Sequence, residues 1–477
     1  MHEDLLQKGV NFALHLGAVY AEARYHRHTS SSFFARNGEL VGYGESIEEG
    51  IGVRVIVKGA LGFSATSSLN WDSLREAVEQ AVKLANVHSK FMKKPIQFSE
   101  ARLGKAKYEA LCVKPFDRMD LGEKISYMAE VWDKAKDSVK ETKMMTLTAR
   151  YSEDVEEKTI INSDGAFIVS RVPRLSVGYN FVLLHPQKGT IQRSQSFGGS
   201  GGLEQLDKWK VPEAAAEEAT KLENVLVNGI EPPKGPLDVI VGSEIVGLIV
   251  HESCGHPSEA DRIWGREAAQ AGMSFVKPGM IGERIGGKYA TVIDDPTLPG
   301  SYGFYLYDDE GVPARARYLY KEGLINEHLH NRWTASLWGT TSNAAARAMD
   351  HNSEPIIRMA NTYLAPGDHS FEELLEGVKL GVYMKSYMEW NIDDIRWGQR
   401  YVGLECYLIE KGELTKPVRN PVLEVTTKSF YSSIEAAGKE LRFEPGTCGK
   451  GEPSQGVPVW FGGPDVKLRN IPLGVVG

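Results

Sequence analysis

Leu237-Asp238-Val239-Ile240-Val241-Gly242-Ser243-Glu244-Ile245-Val246-Gly247-Leu248-Ile249-Val250-His251-Glu252-Ser253-Cys254-Gly255-His256 reads as a buried strand, a turn and a helix, in that order. Val239 to Val241 are apolar and β-branched, Gly242-Ser243 turns the chain, and Ser243 can cap the helix that follows. That helix ends on two imidazoles and a carboxylate within six residues, His251 to His256. Neutral imidazole is a common zinc ligand, and a carboxylate beside it can take a proton from metal-bound water. Common zinc proteases place their histidines at i and i+4, about 40° apart on a helix, whereas i and i+5 diverge by about 140°. A straight helix cannot aim both rings at one ion. The spacing therefore predicts a bulge or a helix end inside the motif, and Gly255 permits either.

Outward from this stretch, the chain divides into three blocks. Residues 1–105 open with a helix over 4–16. Strand-like segments follow at 21–28 and 32–35, with a turn at Asn37-Gly38 and a strand at 52–57. Asp72 or Ser73 can cap a helix whose apolar face is Leu74, Ala77, Val78, Ala81 and Ala85. Residues 106–230 carry a helix over 120–136, several strands, a turn at Asn162-Ser163-Asp164-Gly165 and an alanine-rich helix over 213–222. Phe197-Gly198-Gly199-Ser200-Gly201-Gly202 reads as a flexible connection. Glu231-Pro232-Pro233-Lys234-Gly235-Pro236 marks a boundary, and residues 237–477 are rich in β-branched and aromatic residues, with strands expected at 289–293, 303–307, 315–320 and 401–410. The expected class is α+β: an N-terminal mixed helix and strand domain in two subdomains, then a strand-rich C-terminal domain bearing the metal-site helix.

Composition narrows the function classes. The 477 residues suffice for two or three domains, and 42% hydrophobic with 25% charged residues is ordinary for a globular chain. The formal charge of −8 and the lack of a basic tract argue against nucleic acid. No apolar run approaches the ~20 residues that cross a bilayer, and the acidic start Met1-His2-Glu3-Asp4 lacks the basic opening of a signal peptide. Four scattered cysteines, Cys112, Cys254, Cys406 and Cys448, suit a reducing cytoplasm.

Two histidines do not complete a catalytic zinc site, which usually takes three protein ligands and a water. Candidates for the third are Glu259, His328, His330, His351, Cys406 and Cys448. Cys406 lies in an alternating apolar segment and reads as a core residue, and Cys254 as a packing thiol. Cys448 sits in Pro445-Gly446-Thr447-Cys448-Gly449-Lys450-Gly451, read as a glycine-rich loop with little for a thiol to pack against, where Lys450 can favour thiolate. Asp294, Asp295, Asp308, Asp309 and Glu310 read as turn caps at a solvated strand end, and His328 and His330 as surface residues. Arg358 reads equally as a clamp on a substrate or a partner loop and as a structural ion-pair partner.

The third block resembles the TldD/PmbA family of metalloproteases. His251-Glu252-Ser253-Cys254-Gly255-His256 matches the HExxxH motif of its TldD branch. Further matches are Val292-Ile293-Asp294-Asp295-Pro296-Thr297, Tyr307-Asp308-Asp309-Glu310-Gly311, Arg358-Met359-Ala360-Asn361-Thr362 with Pro366-Gly367, and Cys448-Gly449-Lys450. In the first block, Gly52-Val53-Arg54-Val55 with Gly62-Phe63-Ser64 also fits, while Asn343-Ala344-Ala345-Ala346-Arg347 departs from the family's glycine- and arginine-rich segment. The resemblance implies His251, His256 and Cys448 as ligands of zinc (Zn2+) and Glu252 as general base. It also implies an enclosed chamber admitting short or unfolded peptides, and either a homodimer or a heterodimer with a TldE/PmbA-like subunit that lacks the metal motif. Two other readings are a non-catalytic metal-containing assembly or binding protein, and a cysteine hydrolase using Cys254.

Overall fold

A computed structural model of the chain describes residues 2–267 and 272–475. The N-terminal half pairs seven strands into one sheet: β1 (Tyr20–Arg36), β2 (Glu39–Val57), β3 (Ala60–Thr66), β4 (Lys105–Glu109), β5 (Lys143–Asn162), β6 (Phe167–His185) and β7 (Gly189–Ser200). Their order is β3-β2-β1-β5-β6-β4, with β7 also on β6. The two segments expected at 21–28 and 32–35 are one strand, because β2 and β5 pair with β1 straight through the polar run His28 to Ser32. Backbone ladders do not depend on what the side chains are, so a serine run fails to break them. Asn37 and Gly38 take the turn as expected, both at positive φ (53° and 83°). The ladder of β1 and β5, from Glu22 opposite Asn162 to Arg36 opposite Thr148, joins the first and second blocks in one sheet.

Helices cover this sheet. α1 (His2–His15) and α2 (Trp71–His88) bury Leu6, Val10 and Ala13 together with the expected face of Leu74, Ala77, Val78, Ala81 and Ala85. The α2 cap is Asn70, whose side chain accepts from Ser73 N at 3.0 Å, so neither Asp72 nor Ser73 holds that role. α3 (Leu121–Ser138) starts with a reciprocal cap between Asp120 and Glu123. α4 (Glu204–Trp209) and α5 (Val211–Asn228) complete the second core with α3. The glycine run 197–202 is not a loose connection. Residues through Ser200 finish β7, all of 198–202 are buried, and a side chain on Gly202 would run into Lys114 O.

The C-terminal half is strand-rich. β8 (Pro236–Val241) lies in a nine-stranded sheet with β15 (Leu380–Met384), β16 (Tyr387–Ile392), β17 (Gly398–Gly403), β18 (Cys406–Glu410), β19 (Glu413–Pro417), β20 (Pro421–Thr426), β21 (Ile434–Ala437) and β24 (Val466–Val475), counted among the described residues. A six-stranded sheet holds β9 (Val292–Asp294), β10 (Arg317–Lys321), β11 (Leu324–Ile325), β14 (Asn361–Leu364), β22 (Arg442–Lys450) and β23 (Gln455–Gly463), and β12 (Ala346–Arg347) pairs with β13 (Ile356–Ile357). The segment expected as a strand at 303–307 is irregular, although Phe304 and Tyr305 are buried and the Tyr305 hydroxyl donates to Ala344 O. α6 (Ser243–Val250) follows β8 and lies directly on β23: a Cβ at Gly247 would stand 2.8 Å from Gly462 N. One large apolar core includes Val246, Ile249, Val250, Met359, Val457 and Val459.

The halves meet through charge. Arg54 of β2 bonds both Glu22 (2.7 Å) and Glu310 (3.0 Å), Lys158 of β5 bonds Asp309 (3.0 Å), and Arg24 of β1 donates to the carbonyls of Asp350 and Ser353. Asp294, Asp295, Asp308, Asp309 and Glu310 are all buried rather than at a solvated strand end. Asp294 pairs with Arg317, and Asp308 does cap a turn by accepting from Glu310 N and Val312 N. His328 and His330 are buried as well, not on the surface as their lack of sequence partners implied.

Candidate metal centre

The predicted distortion lies where the histidine spacing requires it. α6 passes into a π turn, His251–Gly255, and then a 3-10 turn, His256–Ser258. The His256 N–H donates to His251 O, an i to i+5 bond that closes the wider turn. The two rings then face each other with centroids 4.9 Å apart at 82°. Gly255 itself is right-handed (φ −57°), so its conformational freedom is not what the motif uses. It is needed for space, because any side chain there would strike Met359 Sδ.

Cys448 reaches the same point from β22. Its Sγ lies 3.5 Å from His256 Nε2, and donor atoms of His251, His256 and Cys448 all lie within 4.8 Å of one another. The segment is not a loop: Cys448 pairs with Val457 in the β22–β23 hairpin and is 6% exposed. Burial would push its thiol up, but His256 and the Arg358 guanidinium outweigh this and bring it down to about 7. Arg358 is wholly buried and donates to the carbonyls of Cys448 and Gln455, so its described contacts tie this hairpin of its own chain together. Lys450, expected to favour the thiolate, is turned away to Asp261 (2.7 Å) and Ile357 O (2.8 Å).

A second ring of contacts fixes His256. Its Nδ1 lies 3.0 Å from Glu259 Oε2. Burial opposes the charge on Glu259, but Lys450, His256 and Arg262 hold its carboxyl well below the usual range. An ionised carboxylate only accepts, so Nδ1 carries a hydrogen and Nε2 is the nitrogen left to a metal. Burial lowers the affinity of both imidazoles for protons, which keeps them neutral as ligands must be. The Nδ1 of His251 is buried and without a hydrogen-bond partner among the described residues. Two neutral nitrogens and a thiolate form a donor set suited to zinc, and the orphaned buried nitrogen fits a site built to hold an ion.

Glu252 is 6% exposed and its Oε2 meets Arg396 Nη1 in a buried ion pair. No feature of Asp393-Asp394-Ile395-Arg396 in sequence pointed to this contact. The remaining candidates lie elsewhere. Glu259 supports His256. Cys406 is buried in β18, His351 bonds Ser67 Oγ at 3.2 Å, and His330 bonds Thr334 Oγ1 at 3.1 Å. Cys254 is wholly buried, which pushes its thiol well up and leaves it a poor nucleophile. A second cluster, His26, His28 and Glu156, also brings donor atoms within 4.8 Å. There Lys158 (2.9 Å) and Arg174 (2.7 Å) already neutralise Glu156, which disfavours a cation.

A cavity of about 250 Å³ is walled in part by Ser194, Gln195, Glu444 and Phe461 and is linked to the centre through Phe461. The Phe461 ring is 5.8 Å from that of His251.

Comparison with known proteins gives full-length matches. The family model for the PmbA/TldA metallopeptidase C-terminal domain matches residues 234–474, that for domain 1 residues 21–85, and that for the central domain residues 114–224. A metalloprotease of Methanocaldococcus jannaschii is 29% identical over 445 residues, covering 93% of this chain and 94% of that protein. A zinc metalloprotease TldD homolog of Saccharolobus solfataricus is 27% identical over 472 residues, covering 98% and 99%. TldE from Thermococcus kodakarensis has the same fold, with a TM-score of 0.75 at 17% identity, covering 98% of this chain and 100% of that one.

Proposed function

This chain belongs to the PmbA/TldD metallopeptidase family, and from that membership we propose that it is a zinc-dependent peptidase acting on short or unfolded peptides. The observation that carries the reading is the convergence of His251, His256 and Cys448 beside a carboxylate, Glu252. The three would hold zinc, which when bound supplies Lewis acidity toward a peptide carbonyl and lowers the pKa of water. Glu252 takes a proton from the attacking water and returns it to the leaving amine. Glu259 keeps His256 in the ligating tautomer, and Arg358 favours the Cys448 thiolate. The walls of the cavity that shares Phe461 with the surroundings of His251, polar at Ser194 and Gln195, suit an extended peptide held largely by its backbone. A partner subunit, TldE-like or a second copy, would enclose this cleft, and the cytoplasm is the proposed compartment.

The test pairs metal content with peptide turnover. Purified protein should carry about one zinc per chain, hydrolyse unfolded peptides and lose that activity to a chelator. Glu252→Gln should retain the metal and lose about 10²–10⁴ in rate. A metal-loaded wild type that cleaves no peptide, alone or with a TldE-like subunit, would leave a metal-containing assembly protein as the better reading.

A further inference from the structure

Arg396 occupies the tip of the β16–β17 hairpin in a left-handed conformation (φ 67°), which arginine rarely adopts. The surroundings enforce it from several sides. The Asp393 carboxylate accepts from Trp397 N and Gly398 N, both at 2.7 Å, and Arg396 N donates to Asp393 O at 3.0 Å. Thr427 Oγ1 donates to Arg396 O (2.8 Å), Phe275 N donates to Ile395 O (2.8 Å), and the Trp397 ring meets Phe275 edge-on at 5.1 Å. A strained backbone so heavily tied down is what persists where a side chain must be aimed. The side chain it aims is a guanidinium, and it ends on Glu252. Both residues are under a tenth exposed.

We propose that Arg396 is the positioning residue for Glu252, holding its carboxylate in the one orientation that serves the metal centre; this rests on the peptidase reading above. The contact described joins one guanidinium nitrogen to one carboxylate oxygen, Oε2, so the pair fixes the rotamer while the other oxygen stays outside this bond. A glutamate has three side-chain torsions, and a general base misplaced by about 1 Å can cost about 10²-fold in rate. Removing Arg396 therefore frees the base without touching any ligand of the metal.

The test compares Arg396→Ala, Arg396→Gly, Arg396→Lys, Glu252→Gln and the double variant Glu252→Gln/Arg396→Ala. Arg396→Ala should retain its metal and lose about 10²-fold in kcat with little change in KM, and added guanidinium ion should restore part of the loss. The double variant should be no slower than Glu252→Gln alone, because the proposed role of Arg396 runs through that carboxylate. Arg396→Gly relieves the left-handed strain, so it should melt above Arg396→Ala yet be equally slow; Arg396→Lys, which keeps a cation, should fold and fall between. A readout independent of turnover is the melting temperature: Arg396→Ala strands a buried charge and should melt lower, and Glu252→Gln in the same chain should recover part of that drop. Wild-type turnover in Arg396→Ala or Arg396→Gly overturns the inference while leaving the peptidase reading intact, as does a double variant in which the two losses multiply. A wild type without peptidase activity defeats the functional reading instead, and absence of coupling in melting temperature then defeats the positioning pair by itself.

Discussion

His256 shows how one ring can be committed by a residue three positions away. Glu259 fixes the hydrogen on Nδ1, and Lys450 and Arg262 fix Glu259. Glu259→Gln keeps the shape but not the charge, so zinc affinity should fall about 10–100-fold, read by competition against a fluorescent chelator. A second outcome concerns His328 and His330, which burial holds down at about 4 from an ordinary 6.5. A depressed imidazole must gain its proton as the chain unfolds, so the stability it contributes is present above pH 6.5 and is lost as pH falls toward 4. Melting temperature should drop across that window, and less steeply in a His328→Gln/His330→Gln variant. The motif histidines and Glu252 were legible because they are contiguous. Cys448 was not legible by spacing, since 192 residues separate it from His256; its glycine-rich setting and Lys450 marked it as a candidate, for reasons the hairpin does not bear out, and the match to a family motif added to that. Arg396 left no trace, because its importance lies in a backbone conformation rather than in its neighbours in sequence.

Between strand and helix, the decisive contacts are backbone against backbone. α6 lies on β23 through Gly247 and Gly462, and the π turn passes Met359 through Gly255. Gly255→Ala should therefore displace the turn rather than unwind it: overpacking of this kind costs about 1–3 kcal/mol, and the larger effect should be loss of bound zinc, measured by metal analysis on folded protein. The periodic helices were legible because burial repeats with their turn, and the i to i+5 spacing of the histidines called for a bulge or a helix end, of which the structure has the bulge, a π turn. Glycine was the recurrent source of error. A run such as 197–202 or the segment around Cys448 looks loose in sequence, yet in both the small residues let chains approach closely within ordered strands. Sequence shows that a side chain is missing, but not what fills its place.

At the scale of the whole molecule, the halves are held by buried polar and charged contacts together with apolar ones, Trp333 against Tyr20 and Ile56, and Phe304 against Ala110 and Val172. Arg54, Lys158 and Arg24 reach across from the N-terminal sheet to Glu310, Asp309 and the 350–353 backbone. This is why the run Asp308-Asp309-Glu310 misled: charge in sequence suggests water, and the cations that bury it come from more than 100 residues away. The ladder of β1 on β5 has a consequence for cutting the chain. Lys90 and Lys93 lie exposed between α2 and β4, open to trypsin. A nick there leaves the amino-terminal peptide bound along 15 residue pairs to β5, so the two fragments should elute together from a sizing column and part only in denaturant. Separation in native buffer would mean that this ladder does not hold the N-terminal half together without the covalent chain.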